Sequence, residues 1–129
     1  MSLTTFMATS LASLPKNAKL LNAADYNHVF DKPVRSSDGY FTVLARPNKL
    51  SHARLGMAFS KKRVKLAVAR NRLKRISRES FRQTKEKFNA DFVVLAGARC
   101  ANATNQQLFN SLEQHWQLLN KNCEKLKLF

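Results

Sequence analysis

The residues of this chain best suited to chemistry are basic, and they are concentrated in one segment. Residues 60–82, SKKRVKLAVARNRLKRISRESFR, contain ten Lys or Arg side chains in 23 positions and a single acid, Glu79. Lysine and arginine cations neutralise phosphate, and arginine also grips it with two parallel N–H groups. The chemistry that this segment offers is the binding of a polyanion, and nucleic acid is the first candidate.

The segment has the periodicity of an amphipathic helix. At 100° per residue, one narrow stripe is apolar or small and is predicted to face the core, with Phe81 at its margin: Leu66, Ala69, Leu73, Ile76 and Ser80. The polar side chains gather on an adjoining arc about 100° wide, with Arg70 at its border. That arc contains Asn71, Lys74, Arg75, Arg78 and Arg82. The positive charge therefore points in one direction.

This charge is not compensated within the helix. Like charges four residues apart, such as Lys74 and Arg78, destabilise a helix by a few tenths of a kcal/mol, and Glu79 is the one acid in the segment. Two other interpretations stay open, an ordinary solvated surface and contact with an anionic membrane. The membrane is less favoured, because Phe81 is the only aromatic residue of the segment.

Two details of the segment favour nucleic acid. Asn71 lies between two arginines and adds a donor and an acceptor that suit a base edge or a 2′-hydroxyl. Lys61, Lys62 and Arg63 are predicted to lie where a strand ends and the helix begins. Cations at that place oppose the positive end of the helix dipole, and a bound anion relieves this repulsion.

A second group of residues is aromatic. Tyr26 and Phe30 are one helical turn apart, and with Tyr40 or Phe41 of the next strand they would form a stacking platform for unpaired bases. Side chains alternate along a strand, so at most one of Tyr40 and Phe41 faces this platform. The alternative is that these aromatic side chains fill the core.

Residue types that catalyse hydrolysis or hold metals do not cluster in the sequence. The acidic residues form no DxD or HxxE arrangement and are scattered over Asp25, Asp31, Asp38, Glu79, Glu86, Asp91, Glu113 and Glu124. The histidines His28, His52 and His115 are also isolated, and His115 is expected to pack against the core. The residues of this protein give no reason to expect that it cuts RNA by itself.

Strands and helices must position these residues. Asn22 is predicted to cap a short helix that carries the aromatic pair and ends before Pro33. Residues 36–39, SSDG, predict a turn before a strand over residues 40–46, and residues 53–60 predict a half-buried strand. Residues 91–98, DFVVLAGA, have the continuous apolar character of a strand that is covered on both faces.

The order of strand, basic helix and buried strand predicts a βαβ unit with two parallel strands that are neighbours or near-neighbours. Thr104 and Gln107 form a capping box before a last helix. One side of that helix is expected to pack inward through Leu108, Leu112, His115 and Leu119, with Phe109 and Trp116 beside them. The tail from Lys121 onward is expected to fray.

Length and composition fit one domain. We expect a flexible arm over residues 1–15, which lacks the basic start of a signal peptide, and one domain over residues 16–129. The net charge of +15 opposes compaction unless a polyanion relieves it. There is no apolar run of about 18 residues that would span a membrane. Cys100 and Cys123 are expected to be free thiols in a reducing cytosol.

The basic segment resembles the signature of the bacterial ribonuclease P protein family. That signature has an Arg-Asn-Arg core, here Arg70, Asn71 and Arg72, followed by a basic pair, here Lys74 and Arg75. Residues 20–30, LLNAADYNHVF, are similar to the first helix of the family. RLGMAFSKK and DFVVLAGA are similar to its third and fourth strands, so that the likeness covers residues 18–120.

The resemblance implies an α+β or α/β two-layer sandwich with three helices and a four-stranded mixed sheet, like the second domain of a small-subunit ribosomal protein. It also implies a left-handed βαβ crossover, where the general rule favours a right-handed one. The holoenzyme of the family is an endonuclease that removes the 5′ leader of precursor tRNA. Its RNA subunit is catalytic and, with the substrate, holds the magnesium ions. The implied partners are one catalytic RNA and precursor tRNA in the cytoplasm, without membrane or DNA.

The resemblance also assigns roles to residues. The catalytic RNA would be bound by Lys61, Lys62, Arg63, Arg70, Asn71, Arg72, Lys74, Arg75 and Arg78. Tyr26 and Phe30 would line a cleft for the single-stranded leader, with Phe41 as a third member. Tyr26 stands where relatives often have Phe, which keeps the stacking surface and adds a hydroxyl. No catalytic residue and no dedicated metal site of the protein is implied.

Two other functions share part of this pattern. A structural RNA-binding protein, such as a ribosomal one, would have the same charge and fold but would not accelerate leader removal. A metal-dependent protein nuclease would cut RNA alone in magnesium, and the scattered carboxylates argue against it.

Overall fold

The computed structural model describes residues 14–84 and 87–127, and these residues form three α-helices and four strands. The helices are α1 (Ala23–Asp31), α2 (Ala67–Gln83) and α3 (Asn105–Lys127). The strands are β1 (Val34–Ser37), β2 (Phe41–Pro47), β3 (Arg54–Ala58) and β4 (Ala90–Ala96). The predicted arm lies outside the described residues except for Leu14 and Pro15.

The four strands form one mixed sheet in the order β1-β2-β4-β3. β2 is antiparallel to both β1 and β4, whereas β3 and β4 are parallel, with Leu55 opposite Phe92. α2 connects these two parallel strands, because the chain must return to the same end of the sheet before β4 can begin. The predicted strand-helix-strand unit with neighbouring parallel strands is confirmed.

The sheet is covered by helices on both faces. Side chains alternate along a strand, and in β4 Phe92 and Val94 contribute to the core under α2 and α3, whereas Val93 packs with Val29 of α1. β4 is therefore buried on both sides, as its continuous apolar sequence predicts. The sheet with α2 and α3 forms the predicted two-layer sandwich, and α1 covers part of the other face.

The main core lies between the sheet and the pair α2 and α3. At its centre the rings of Phe81, Phe92 and Trp116 pack edge to face, with centroids 5.6–5.9 Å apart. The indole Nε1 of Trp116 donates a hydrogen bond to the Ser80 hydroxyl at 2.8 Å, so its polar group is satisfied inside the core. These contacts hold α2 in one orientation on the sheet.

Side-chain caps set where α1 and α3 begin. The Asn22 side chain accepts a hydrogen bond from the backbone N–H of Asp25 at 2.9 Å. The Thr104 hydroxyl accepts from the Gln107 N–H at 3.1 Å, and the Gln107 side chain accepts from the Thr104 N–H at 2.9 Å. The predicted N-cap and capping box are confirmed.

The structure corrects the predicted turn over residues 36–39. Ser36 and Ser37 belong to β1, an edge strand that the patterns did not identify. The turn begins at Asp38, whose carboxylate accepts hydrogen bonds from the N–H groups of Tyr40 and Phe41. Ser36 is buried, and its hydroxyl is satisfied by a hydrogen bond with His115 of α3 at 2.6 Å, a partner that is remote in the sequence.

Two predictions at helix ends are also wrong. Leu66 is the N-cap residue of α2 and is 66% exposed, so it is not part of the core-facing stripe. The tail is expected to fray from Lys121, but α3 continues to Lys127, and residues 128–129 lie outside the described residues. Cys123 is fully buried in the main core and fixes this part of the helix.

Candidate nucleic-acid interface

α2 presents a basic surface because its opposite side is embedded in the main core. That inner side contains the buried residues Leu73, Ile76 and Phe81. The outer side contains the exposed residues Asn71 and Arg75 and the half-buried residues Lys74 and Arg78. The helix therefore holds these polar side chains on one continuous surface, as the helical wheel predicts.

The cations that precede α2 lie on a turn that is anchored at both ends. We call residues 60–64 the basic turn. The N–H of Val64 donates to the Ser60 carbonyl at 3.0 Å, and the N–H of Arg63 donates to the Ser60 hydroxyl at 3.2 Å. Phe59, just before the turn, and Val64, its last residue, are buried. Between these anchors the exposed side chains are Lys61, Lys62 and Arg63.

The N-terminus of α2 adds to the positive potential of this region. Leu66 provides no side-chain cap, and the first turn of the helix contains no acid. The N–H groups of that turn therefore keep their partial positive charge. The helix begins at Ala67, three residues after the end of the basic turn, so this partial charge and the cations lie on adjacent segments.

The two arginines of the Arg-Asn-Arg core donate hydrogen bonds to acceptors on other segments. Arg70 Nη1 donates to the carbonyls of Val64 and Lys65, at 2.7 and 2.9 Å. Arg72 Nη2 donates to the carbonyl of Ala103 at 2.6 Å, and its Nε donates to the side-chain oxygen of Asn105 at 3.0 Å. Both arginines are half-buried, whereas Asn71 between them is exposed.

The surface has no acidic compensation among the residues that the structure describes. Glu79 is buried, and its carboxylate accepts hydrogen bonds from Arg82 and Gln83. Arg82, which the helical wheel places on the polar arc, is therefore paired with Glu79. Within residues 14–84 and 87–127, none of the predicted RNA-binding side chains has a carboxylate partner. These side chains are Lys61, Lys62, Arg63, Arg70, Asn71, Arg72, Lys74, Arg75 and Arg78.

The aromatic pair on α1 lies on the other face of the sheet. Tyr26 is half-buried, and its hydroxyl accepts a hydrogen bond from the Met57 N–H of β3 at 3.2 Å. Its ring lies directly over Gly56, where an added Cβ would be 2.7 Å from Cε1 of Tyr26. Phe30 is 43% exposed, although Val29 beside it is fully buried. α1 therefore presents one aromatic ring packed on the sheet and one open to solvent.

Phe41 does not join this pair. It is 0% exposed and packs in the main core against Phe59, with ring centroids 6.4 Å apart. Tyr40 also packs against the main core, under the guanidinium of Arg99. Leu44 is the apolar β2 residue that packs with α1 on the other face. The prediction that Phe41 shares a surface with Tyr26 and Phe30 is wrong, because it lies on the opposite face of the sheet.

Groups able to hold a metal are dispersed in the described residues. No three His, Cys, Asp or Glu side chains gather within residues 14–84 and 87–127. His115 is buried against Ser36, and His52 donates from Nε2 to the Asn17 carbonyl at 2.6 Å. Both cysteines are buried free thiols, and burial raises the pKa of Cys123 to about 11. Their low thiolate fraction makes them poor ligands and nucleophiles at neutral pH.

Known proteins are similar to this chain in both sequence and fold. Residues 14–120 match the model of the family described as Ribonuclease P. The chain belongs to the ribonuclease P protein family. It is 42% identical to the ribonuclease P protein component of Methylococcus capsulatus over 110 residues. This aligned region covers 84% of this chain and 86% of that protein. The corresponding protein of Vibrio parahaemolyticus is 42% identical over 107 residues, 82% of this chain and 91% of that protein.

Solved structures of ribonuclease P proteins have the same fold. The protein from Staphylococcus aureus matches with a TM-score of 0.70 at 32% identity, over 75% of this chain and 90% of that one. The protein from Thermotoga maritima matches with a TM-score of 0.69 at 28% identity, over 80% of this chain and 96% of that one. The chain is thus an RNA-binding component of the ribonucleoprotein ribonuclease P.

Within the described residues, none of the helices has the length and apolarity needed to cross a bilayer.

The sequence patterns do not identify two contributors to the basic surface, Ala103 and Asn105, because their contacts with Arg72 join positions 31 and 33 residues apart. They also miss Gly56, which leaves room for the ring of Tyr26.

Proposed function

We propose that this protein assists the removal of the 5′ leader from precursor tRNA by a catalytic RNA subunit, to which it binds in a one-to-one complex in the cytoplasm. The observation that carries this proposal is the uncompensated basic surface of α2 and the basic turn, held in a fixed orientation by the main core. A folded chain of net charge +15 repels itself, and a polyanionic partner would relieve this repulsion.

The basic surface would bind the catalytic RNA through its phosphates. Lys61, Lys62 and Arg75 are exposed, and Lys74 and Arg78 are half-buried beside them, so their charged groups are accessible without unfolding. Each phosphate that they neutralise releases bound counterions from the RNA, which favours association at low salt. Asn71 is exposed among them and supplies the hydrogen-bonding side chain that can contact a base edge or a 2′-hydroxyl.

The exposed ring of Phe30, with the half-buried ring of Tyr26, would receive the single-stranded leader. Stacking on aromatic rings is tolerant of sequence, because every base has a π-face. This suits a leader that differs between precursor tRNAs. Phe41 has no part in the proposed cleft, since it is buried on the other side of the sheet.

Magnesium would be held by the RNA subunit and the substrate. The chemistry that it supplies there is the activation of water and the stabilisation of charge on phosphate. The described part of this chain offers no cluster of three metal-binding side chains. Its cations contribute by screening phosphate repulsion, and its aromatic pair contributes by positioning the substrate.

The experiment that tests this proposal is cleavage of a precursor tRNA in low magnesium. The three reactions contain this protein alone, a bacterial ribonuclease P RNA alone, and the two together. We expect leader removal in the mixture only. Cleavage by the protein alone would reveal a protein nuclease, and binding without faster cleavage in the mixture would place the protein among structural RNA binders.

A further inference from the structure

The two arginines of the Arg-Asn-Arg core differ from the cations around them. The guanidinium groups of Arg70 and Arg72 donate to acceptors on segments outside the outer surface of α2. By contrast, within the described residues, side-chain hydrogen bonds and ion pairs are not found for Lys61, Lys62, Arg63, Lys74, Arg75 and Arg78. The same residue types therefore serve two different structural purposes.

Arg72 connects the middle of α2 to the start of α3. Its Nε and Nη2 form one edge of the guanidinium, and this edge is occupied by Asn105 Oδ1 and the Ala103 carbonyl. Ala103 is buried and ends the 3-10 turn Cys100–Asn102, and Asn105 is the first residue of α3. A phosphate that approached this edge would have to displace both hydrogen bonds.

Arg70 connects α2 to the basic turn. Its Nη1 donates to two successive carbonyls, those of Val64 and Lys65, at the point where the turn leads toward the helix. Val64 is buried, so the carbonyl that accepts from Arg70 belongs to a residue that is held in place by the core. The position of the three exposed cations of the basic turn relative to α2 therefore depends on Arg70.

We propose that Arg70 and Arg72 are positioning residues, which hold the basic turn and the start of α3 against α2, while the flanking cations make the phosphate contacts. This inference rests on the proposed function. It follows from the planar guanidinium, whose several N–H groups donate in fixed directions, whereas the ammonium of lysine acts as a mobile point charge. A lysine can replace an arginine that neutralises phosphate but cannot reproduce the two-acceptor contact of Arg72.

The test compares matched substitutions by their affinity for a bacterial ribonuclease P RNA over a range of salt concentrations. The full-length variants are Arg72→Lys, Arg75→Lys and Asn105→Ala, measured where circular dichroism shows each to be folded. We expect Arg72→Lys to weaken binding about five- to tenfold, as for the loss of one or two hydrogen bonds, without changing the salt slope. Arg75→Lys should weaken binding less than Arg72→Lys, because the charge that contacts phosphate remains.

Asn105→Ala separates positioning from a direct phosphate contact, because it changes no charge. We expect it to weaken RNA binding and to add little when Arg72 is already replaced, since both changes remove one contact. Measurements of the thermal midpoint alone do not suffice, because a purely structural contact would lower it without changing the RNA affinity of the folded protein.

Native affinity of both Arg72→Lys and Asn105→Ala would overturn the inference, since Arg72 would then act through its charge alone. A lower melting midpoint of Asn105→Ala with unchanged RNA affinity would also overturn it. Failure of the proposed function is recognised separately, because the unsubstituted protein would then neither bind the RNA nor accelerate cleavage.

Discussion

At the scale of single residues, exposure to solvent decides which aromatic side chains are available for binding. Phe30 and Phe41 are both predicted from the sequence to line one cleft, but Phe30 is 43% exposed and Phe41 is fully buried. Stacking on a base requires an open ring face, so Phe30 meets the requirement and Phe41 stabilises the core instead.

We expect Phe30→Ala to weaken the affinity for precursor tRNA more than the affinity for mature tRNA. The truncation removes about 1–3 kcal/mol of base stacking with the leader, which mature tRNA lacks. Because the side chain is partly exposed, the protein itself should lose less than about 1 kcal/mol of unfolding free energy. The measurement is equilibrium binding of both tRNAs to the holoenzyme.

Leu118→Ala is the matched control for Phe30→Ala. Leu118 is a similarly exposed apolar residue, at 47%, but it lies on α3. This substitution should leave both affinities unchanged. An equal loss of affinity for precursor and mature tRNA in Phe30→Ala would contradict the assignment of Phe30 to the leader.

Gly56→Ala is expected to destabilise the packing of α1 on the sheet. A Cβ at this position would lie 2.7 Å from Cε1 of Tyr26 and 2.9 Å from a methyl group of Leu20, so these side chains must move. Overpacking of this kind costs about 1–3 kcal/mol, which urea unfolding would measure. In a Tyr26→Ala background the cost should fall, and full additivity would argue against this contact as the cause.

At the scale of elements, a polar network joins α3 to the turn between β1 and β2. The Asp38 carboxylate accepts hydrogen bonds from Tyr40 N–H, Phe41 N–H and the Ser111 hydroxyl, and it lies 3.3 Å from Nε2 of His115. Burial raises the pKa of Asp38, but the hydrogen bonds and the nearby His115 outweigh it and hold the pKa below its usual value.

Asp38→Asn is therefore expected to destabilise the protein at neutral pH and to have a smaller effect in acid. A carboxyl group with a lowered pKa in the folded state stabilises the fold above its unfolded pKa of about 3.9. That stabilisation is lost as the pH falls through the lower folded pKa. The measurement is the difference in unfolding free energy between the two proteins from neutral pH to below pH 4.

Asp31→Asn serves as the control for this pH series. Asp31 forms an ion pair with Arg46 at 3.6 Å, but it is well exposed and contributes little. A difference between wild type and Asp38→Asn that stayed constant down to the lowest pH would exclude the ionised carboxylate as its cause.

At the scale of the whole molecule, the net charge of +15 sets how binding responds to salt. If about six phosphates of a single-stranded site are neutralised, the logarithm of the affinity should fall with the logarithm of the salt concentration at a slope near −4. The measurement is RNA affinity at several concentrations of a monovalent salt. Replacing both Lys61 and Lys62 by alanine should make the slope less negative by about 1.4, or 0.7 for each lost contact. A slope near zero for the unsubstituted protein would contradict electrostatic binding.

The free protein should become more stable as salt is added. Its like charges repel in the folded state, and a Debye length of about 10 Å at 0.1 M salt screens that repulsion. The midpoint of urea unfolding should therefore rise between low and moderate ionic strength. A constant midpoint would show that the cations are far enough apart in the fold not to interact.

The predictions that held from the sequence depend on local spacing. The caps at Asn22 and Thr104 and the polar side of α2 are properties of residues three or four positions apart, and the structure confirms them. β1 could not be found in this way. It is four residues long, and it is stabilised by pairing with β2 and by the contact of Ser36 with His115, 79 positions away.

The sequence by itself therefore determined the family, through the resemblance of the Arg-Asn-Arg signature and the segments around it. It also determined the charge and the direction in which α2 is basic, because these follow from residue types and helical period. Only the tertiary structure decided the face of β2 on which Phe41 lies and the attachment of Arg70 and Arg72. Alternation along a strand shows which residues share a face but not which face another helix covers, since both faces of β2 contain apolar residues. The acceptors of Arg72 come from another helix start, and only folding brings that segment within hydrogen-bonding distance.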